Sequence, residues 1–527
     1  MGINHSSAGV YVAEKDGSQR LSASTSTVAA IVGEANRGPV GQRTLVTSES
    51  EYVSKFGNPD AKIGWMGHSA VAYLSEGQRL YVTRVAPEAK FGGCTIGWDG
   101  HFNTSRPWLS GEAQPEYVTL SASDLFAVYA INPGDWNSDL CVRVYPNTKI
   151  GNGYFNLDVY VKGSSQPVER WSCHLKMMVD GYGKQLNVEQ QINRGSNYIR
   201  IVQNHDQADF AANEDRQLIN TFDAGGDPST IGIQLKGGEN GRRPNMTELI
   251  FALDLYADAE VVDINLLING GIADPDFQNA MDSLCQSRMD CIAILDMPSD
   301  MQDVQDAISY RRDMLHLNSS YSALYSPDVL APDMYNDIRL YVPPSGFVAA
   351  CFARTDRDYE SWFAPAGMER GDLKVSGLRK VYDLPKRDAL VESQINSIRV
   401  FEGGGIKVWG ADTLQVMQSA LSNITVRRLM IVIEKTIANS LLYGVFDPND
   451  QLLRSRIETN CRTFLGGLSD ARALYSYGVQ CDDDNNTAAT IAAGDLYVDI
   501  WCDPVLFAKR ILFKAVINKT GVRVTGG

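Results

Sequence analysis

The sequence predicts an α/β protein, α+β overall, made of several domains: a central α/β sheet domain, a β-rich domain inserted into it, and a further α/β domain at the carboxy-terminal end. Three observations carry this reading. Apolar strands alternate with amphipathic helices between residues 247 and 325, short strands separated by Gly, Asn, Ser and Pro clusters fill 90–230, and strand-like segments lie near both chain ends. A length of 527 residues also exceeds what one core ordinarily supports.

Taken in order, Gly9-Val10-Tyr11-Val12-Ala13 reads as a short strand, and the polar run Ser22–Thr27 behind it as a linker. Val28–Gly33 has the continuous apolar character of a strand buried on both faces. Leu45-Val46 is a second short strand, Ser48 caps a helix through Phe56, Met66–Glu76 is a helix, and Arg79–Val85 alternates like a strand. Residues 90–230 carry candidate strands at Phe126–Ile131, Leu140–Tyr145, Leu157–Val161, Trp171–Met178 and Tyr198–Val202, which suits a sandwich or barrel. Then helix 247–257, strand Val261–Ile268, helix 275–288, strand Cys291–Leu295, helix 301–315 and strand Ser320–Tyr325 imply a parallel sheet with crossover helices. Pro343–Gly346 turns into a helix through Cys351. The boundaries drawn are 1–27, 28–89, 90–230, 231–379 and 380–527.

In the last part, Asp447-Pro448-Asn449-Asp450 signals a helix start with Asp447 as cap, Leu453, Ile457, Phe464 and Leu468 form one apolar stripe, and Gly466-Gly467 marks the end. Arg454, Glu458 and Arg462 lie off that stripe, as a solvated face or as a contact face for a partner. Two alternating strands follow, Asp495–Cys502 and Arg510–Asn518, with Asp503-Pro504 between them. A lone hairpin is marginal in water and its edges are templates for pairing, so a cover is expected, and the strand at 9–13 of the same or a neighbouring chain is a candidate.

The formal charge is −15, and all of it resides in residues 1–380, with 32 basic against 47 acidic residues, because 381–527 balance at 16 and 16. An acidic chain repels phosphate backbones, which argues against nucleic acid, whereas a neutral portion approaches copies of itself without strong repulsion. Nine single cysteines with no Cys-x-x-Cys are expected as free, mostly buried thiols. No apolar run reaches the length of a membrane span, and no signal peptide opens the sequence.

Catalytic patterns are incomplete. Gly33-x4-Gly38 follows a buried strand like half a phosphate-binding loop, but Pro39-Val40 stand where Lys and Ser/Thr are needed. Ile292–Asp296 imitates a strand ending in a magnesium-binding Asp. The six histidines lack metal-ligand spacing, there is no G-x-S-x-G, and Asp482-Asp483-Asp484 lacks the spacing of a calcium loop. No catalytic residue, metal or cofactor is assigned. An α/β enzyme with an inserted β domain is the rival reading, on the strength of the alternation at 247–325.

Several segments together resemble the sheath proteins of contractile phage tails: Gly9–Val12, Val28–Gly33 with Gly38-Pro39-Val40, Thr47-Ser48, Phe56-Gly57, Tyr81–Val85, Ala353–Asp356 with Trp362 and Ala364–Gly367, Val426–Leu429, Phe446–Asp450, and Tyr477–Asp482 with Asn485–Thr487. Trp409–Leu414 is similar to a W-G-x-R-T-L segment, with Asp412 in place of arginine. The resemblance implies a virion tail subunit, assembled in the host cytoplasm, that stacks as helical rings around a tail tube and contracts on a baseplate signal, without ATP or membrane insertion. Its implied partners are itself, the tube protein, and baseplate and tail terminator proteins. A tailocin or another contractile injection device would share this architecture. The resemblance also implies that the arms at the two ends complete a sheet in the 380–527 domain. The expected strand-exchange residues are Val10, Tyr11, Val12, Ile511, Phe513, Ala515 and Ile517. Arg454, Arg456 and Arg462 are the candidate tube-facing residues, since polar contacts suit a grip that must be released.

Overall fold

The structure, a computed structural model, describes residues 27–98, 102–104, 108, 118–147, 150, 153–164, 166–206, 232–509, 513–518 and 521–526, the last two segments by their backbone. Val10, Tyr11, Val12 and Ile511 lie outside the described residues. The chain divides into two compact units, one holding 26–359 and 365–417, the other 360–364 and the residues from 418 onward.

In the larger unit, β1 (Val28–Gly33) is buried along its whole length and pairs in parallel with β3 (Arg79–Arg84), while β2 (Thr44–Val46) lies antiparallel on the far side of β3. Between them run α1 (Glu49–Phe56), capped by the Ser48 side chain accepting from the Glu51 amide, and α2 (Met66–Leu74). The chain then enters the insert: β4 (Gly93–Trp98), β5 (Phe102–Thr104), β6 (Asp124–Ala130), β7 (Leu140–Pro146), β8 (Tyr154–Val161), β9 (Glu169–His174), α3 (Val188–Gly195), β10 (Ile199–Gln203) and β11 (Ile233–Gln234). These strands make two sheets, ordered β10-β6-β4-β5 and β11-β7-β8-β9. Ile96, Phe126, Val128 and Ile201 of the first sheet share a core with Val142, Val144, Phe155 and Leu157 of the second, and the Phe126 and Phe155 rings stack at 5.7 Å. The insert is therefore a sandwich. Its helix α3 was not expected: Asn187 caps it, and Val188 and Ile192 point into the sandwich core.

The α/β pattern resumes with α4 (Met246–Leu253), β12 (Leu266–Ile268), α5 (Pro275–Arg288), β13 (Ile292–Asp296), α6 (Val304–Ser309), β14 (Ser322–Ser326), β15 (Val329–Asp333), β16 (Ile338–Val342), α7 (Ser345–Asp358), α8 (Gly367–Arg370), β17 (Asp372–Leu373), β18 (Gly377–Leu378), α9 (Leu384–Glu392), β19 (Ile395–Phe401) and β20 (Gly405–Val408). Among the described residues one sheet of nine strands results, ordered β17-β20-β19-β14-β13-β12-β1-β3-β2 and parallel from β19 to β3. Alternate residues Val28, Ala30 and Val32 pack under α4 and α5, and α2 and α7 cover the other face. The boundary drawn at 380 needs correction. β19 pairs in parallel with β14, and β20 pairs with β19, so these residues belong to the large sheet and the compact unit ends at Met417.

Asp296 ends β13, where the sequence pattern imitates a magnesium-binding carboxylate. Instead it accepts hydrogen bonds from the Ser345 amide (2.7 Å), the Ser345 hydroxyl (2.6 Å) and the Gly271 amide (2.9 Å), which fastens the start of α7 to the sheet. Complete burial outweighs these donors and pushes its carboxyl up to about 7. A carboxyl that holds its proton better folded than unfolded stabilises fully below its unfolded pKa, and that contribution is lost as pH rises through the folded value. Raising the pH from about 5 to about 8 is expected to cost wild type roughly 1–3 kcal/mol more than Asp296→Asn, read as diverging melting curves. All nine cysteines are free thiols, eight of them buried.

The smaller unit contains α10 (Ile424–Leu441), α11 (Gln451–Asp470), β21 (Leu474–Gln480), α12 (Ala488–Ala493), β22 (Asp499–Pro504), β23 (Phe513–Asn518) and β24 (Gly521–Gly526). Leu429, Ile433 and Ile437 of α10 meet Leu453, Ile457, Phe464 and Leu468 of α11 in one core, which Trp362 also packs against.

Candidate assembly site

The helix start sits three residues later than the sequence signal. Asp450, not Asp447, caps α11, its side chain accepting from the Leu453 amide at 2.8 Å, while the preceding turn places Phe446 at φ 72° and leaves it fully exposed. The helix also runs through Gly466-Gly467 to Asp470. A Cβ on Gly466 would stand 3.0 Å from the Tyr477 hydroxyl, so the glycine allows β21 to lie close against the helix rather than ending it.

β21 pairs antiparallel with β22, from Leu474↔Pro504 to Gln480↔Asp499. This corrects two expectations: among the described residues β22 pairs with β21 rather than with 513–518, and Asp503 is a strand residue opposite Ser476. The loop at 481–498 brings the two strands together. Asn485 accepts from the Asp482 amide, and the buried Asn486 side chain bonds both the amide (2.7 Å) and the carbonyl (2.9 Å) of Tyr497. Asn486 is thus a positioning residue; the sequence marks Asn485–Thr487 through the family resemblance, which does not reveal these bonds to Tyr497. Val479, Tyr477, Ile500 and Cys502 pack on α11, and Trp501 lies outward over Gly478, where a Cβ would meet the indole.

Among the described residues β21 and β22 form a sheet of two strands, leaving one edge on each strand without a strand partner. Phe513, Ala515 and Ile517 lie in β23, opposite Gly526, Val524 and Val522 of β24, in a second two-stranded sheet. Each small sheet is able to accept further strands through backbone N–H and C=O groups.

The three arginines of α11 do not share one environment. Arg454 is buried, its Nη2 2.7 Å from Asp483 and its Nη1 3.0 Å from Asn449 Oδ1, so it closes the acidic loop onto the helix. Its place on a free face is corrected by that pairing. Arg462 is exposed, with Nε 2.8 Å from Glu458 and Nη2 donating to the Val479 carbonyl at 2.6 Å. Arg456 is exposed and stands over the Tyr443 ring at 5.4 Å.

Two family models match the chain: the phage tail sheath protein central domain over residues 248–414 and the phage tail sheath C-terminal domain over 417–518. Their junction falls where the two compact units part. The matches define a tail sheath protein by class. The chain belongs to the contractile phage tail sheath family. It is 29% identical over 311 residues to the tail sheath protein of Vibrio phage KVP40, covering 54% of this chain and 46% of that one. It is 28% identical over 295 residues to that of Enterobacteria phage T4, covering 52% and 45%. The chain thus spans about half the length of these curated relatives. In fold it is similar to the sheath tail protein of Desulfitobacterium hafniense (TM-score 0.55, 13% identity, covering 90% of this chain and 94% of that one). It is similar too to the sheath complex of an extracellular contractile injection system in its contracted state (TM-score 0.54, 17% identity, covering 98% and 99%).

Proposed function

We propose that this chain is the structural subunit of a contractile tail sheath, polymerising as helical rings around a tail tube and contracting to drive the tube through a host envelope. The observation that carries this is the β21–β22 sheet, backed by α11 and open at both edges among the described residues. Such a sheet accepts strands of neighbouring copies, and the arms with Val10–Val12 and Ile511–Ile517 are the strands supplied. Family membership supports the same reading. Its partners are then further copies, the tube, and baseplate and terminator proteins, and its place is the virion tail after assembly in the host cytoplasm. The role is structural rather than catalytic, in keeping with the commitment of both Asp296 oxygens to Ser345 and Gly271. A contractile injection device is the second reading, favoured by the fold shared with such a sheath over nearly the whole chain.

The tube is met by the exposed part of α11, with Arg456 and Arg462 as contacts and Arg454 as an internal brace. Electron microscopy of the purified chain, alone and with tubes, tests both statements. Striated tubes are expected. Arg456→Glu with Arg462→Glu should lower assembly on tubes while sparing tube-free polymers. A compact dimer in place of tubes would refute the sheath reading, and equal loss in both conditions would refute the tube contact.

A further inference from the structure

Within the larger unit, a cleft of about 1080 Å³ lies between the first α/β segment and the sandwich, and three of its lining residues are Arg37, Trp136 and Arg200. The Arg37 guanidinium stands 5.7 Å over the Trp136 ring, with Nη2 donating to the Val53 carbonyl at 2.8 Å. Its Nε and the Trp136 Nε1 are buried donors without an acceptor. Arg200 spends Nη1 on the Ser196 and Ile199 carbonyls (2.6 and 2.9 Å), and Glu169 is the carboxylate that partly offsets its charge. Behind the cleft, the fully buried Arg84 donates from Nη1 to the carbonyls of Gly38 (3.0 Å) and Pro133 (2.8 Å), while its Nε and Nη2 find no acceptor. Three nearby carboxylates are otherwise engaged: Glu88 with Arg242 (3.0 Å), Asp135, which partly offsets Arg84, with Asn240 (2.9 Å), and Glu169 with the Ser196 hydroxyl (2.6 Å) and the Asn197 amide (2.8 Å). The cleft's Lys55 is already paired with Glu51 at 2.8 Å. Burial pushes all three guanidinium groups down, Arg84 to about 10.

Partly dehydrated cations set among aromatic rings in an acidic chain are an arrangement that an incoming oxyanion completes. We propose that the cleft is a carboxylate-binding site that receives an acidic peptide segment of a second copy of this chain. Two facts favour that occupant. The chain carries 63 acidic against 48 basic residues, so every copy offers surplus carboxylates, and the cleft's volume of about 1080 Å³ has room for several residues of peptide. The choice of a second copy rests on the polymer reading; the carboxylate site does not.

The test uses the full chain, kept monomeric by dilution, and a fluorescent hexaglutamate peptide followed by anisotropy. Binding is expected to weaken about tenfold or more in Arg37→Gln/Arg200→Gln and only a few-fold in the double Lys variant, which keeps charge but loses the planar fork. It should also weaken as salt rises from about 50 to about 300 mM. Unchanged binding in the Gln variant, at an unchanged melting temperature, overturns the site. Displacement of the peptide by equimolar inorganic phosphate or ATP overturns the peptide ligand in favour of a free anion. At assembly concentrations, the Gln variant should form fewer or shorter tubes than wild type; wild-type tube yield with peptide binding lost overturns the second copy as occupant. Failure of wild type itself to form tubes would count against the polymer reading alone.

Discussion

A chain lacking residues 1–20 is expected to fold with an unchanged melting temperature and to remain monomeric under conditions where the full chain forms tubes. The three described cores draw their residues from Val28 onward, and these are the cores expected to persist in the truncated chain. What the deletion removes is the strand proposed to pair with the β21–β22 sheet. A strand of five residues makes about four or five backbone hydrogen bonds, each contributing ~1 kcal/mol net, so each lost contact weakens the polymer by roughly 3–6 kcal/mol. Repeated at every subunit, that loss abolishes long assemblies. Sedimentation and electron microscopy of the truncated chain read the result directly, and normal long sheaths would disprove the arm model.

The second large effect concerns α7. Gly346, in its first turn, lies against α2 so closely that a Cβ would stand 2.5 Å from the Ser69 Cα and 2.8 Å from its carbonyl carbon. Both are backbone atoms, so no rotamer change makes room and the two helices must part. Parting them disturbs the Ser345–Asp296 hydrogen bonds one residue away. Gly346→Ala is therefore expected to cost about 3 kcal/mol, measured by denaturant unfolding. Gly377→Ala, where a Cβ meets side-chain atoms of Leu330 at 3.4 Å, is the mild control within the same unit.

Much of the architecture was legible because it rests on short-range signals. Val28–Gly33 announced a doubly covered strand by its unbroken apolar run, and the strand–helix alternation at 247–325 announced the helix Pro275–Arg288. The reading failed where tertiary pairing decides. Nothing local distinguishes a partner for β22 at 474–480 from one at 510–518; Asn486 decides it by stitching to Tyr497. Gly466-Gly467 resembled a helix end because glycine is a common terminator, yet the lack of a side chain at Gly466 serves packing under Tyr477. The strands at 395–408 read as part of the last domain because sheet order is not written in chain order. Among the candidate site residues, the charge of Arg454 was visible and its partner was not: Asp483 lies 29 residues away.

The nine-stranded sheet ends in β17, two residues long, and in β2, three residues long. Borders so brief offer an intruding strand almost nothing to zip onto, so the largest sheet among the described residues is mute toward its neighbours. In the proposed polymer, tension between subunits is then carried by the small β21–β22 sheet, while the nine-stranded body travels as cargo on that linkage. The mechanical strength of the whole tube would be set by a few strands at the chain's periphery, and a force-clamp experiment should find rupture there before the central sheet yields.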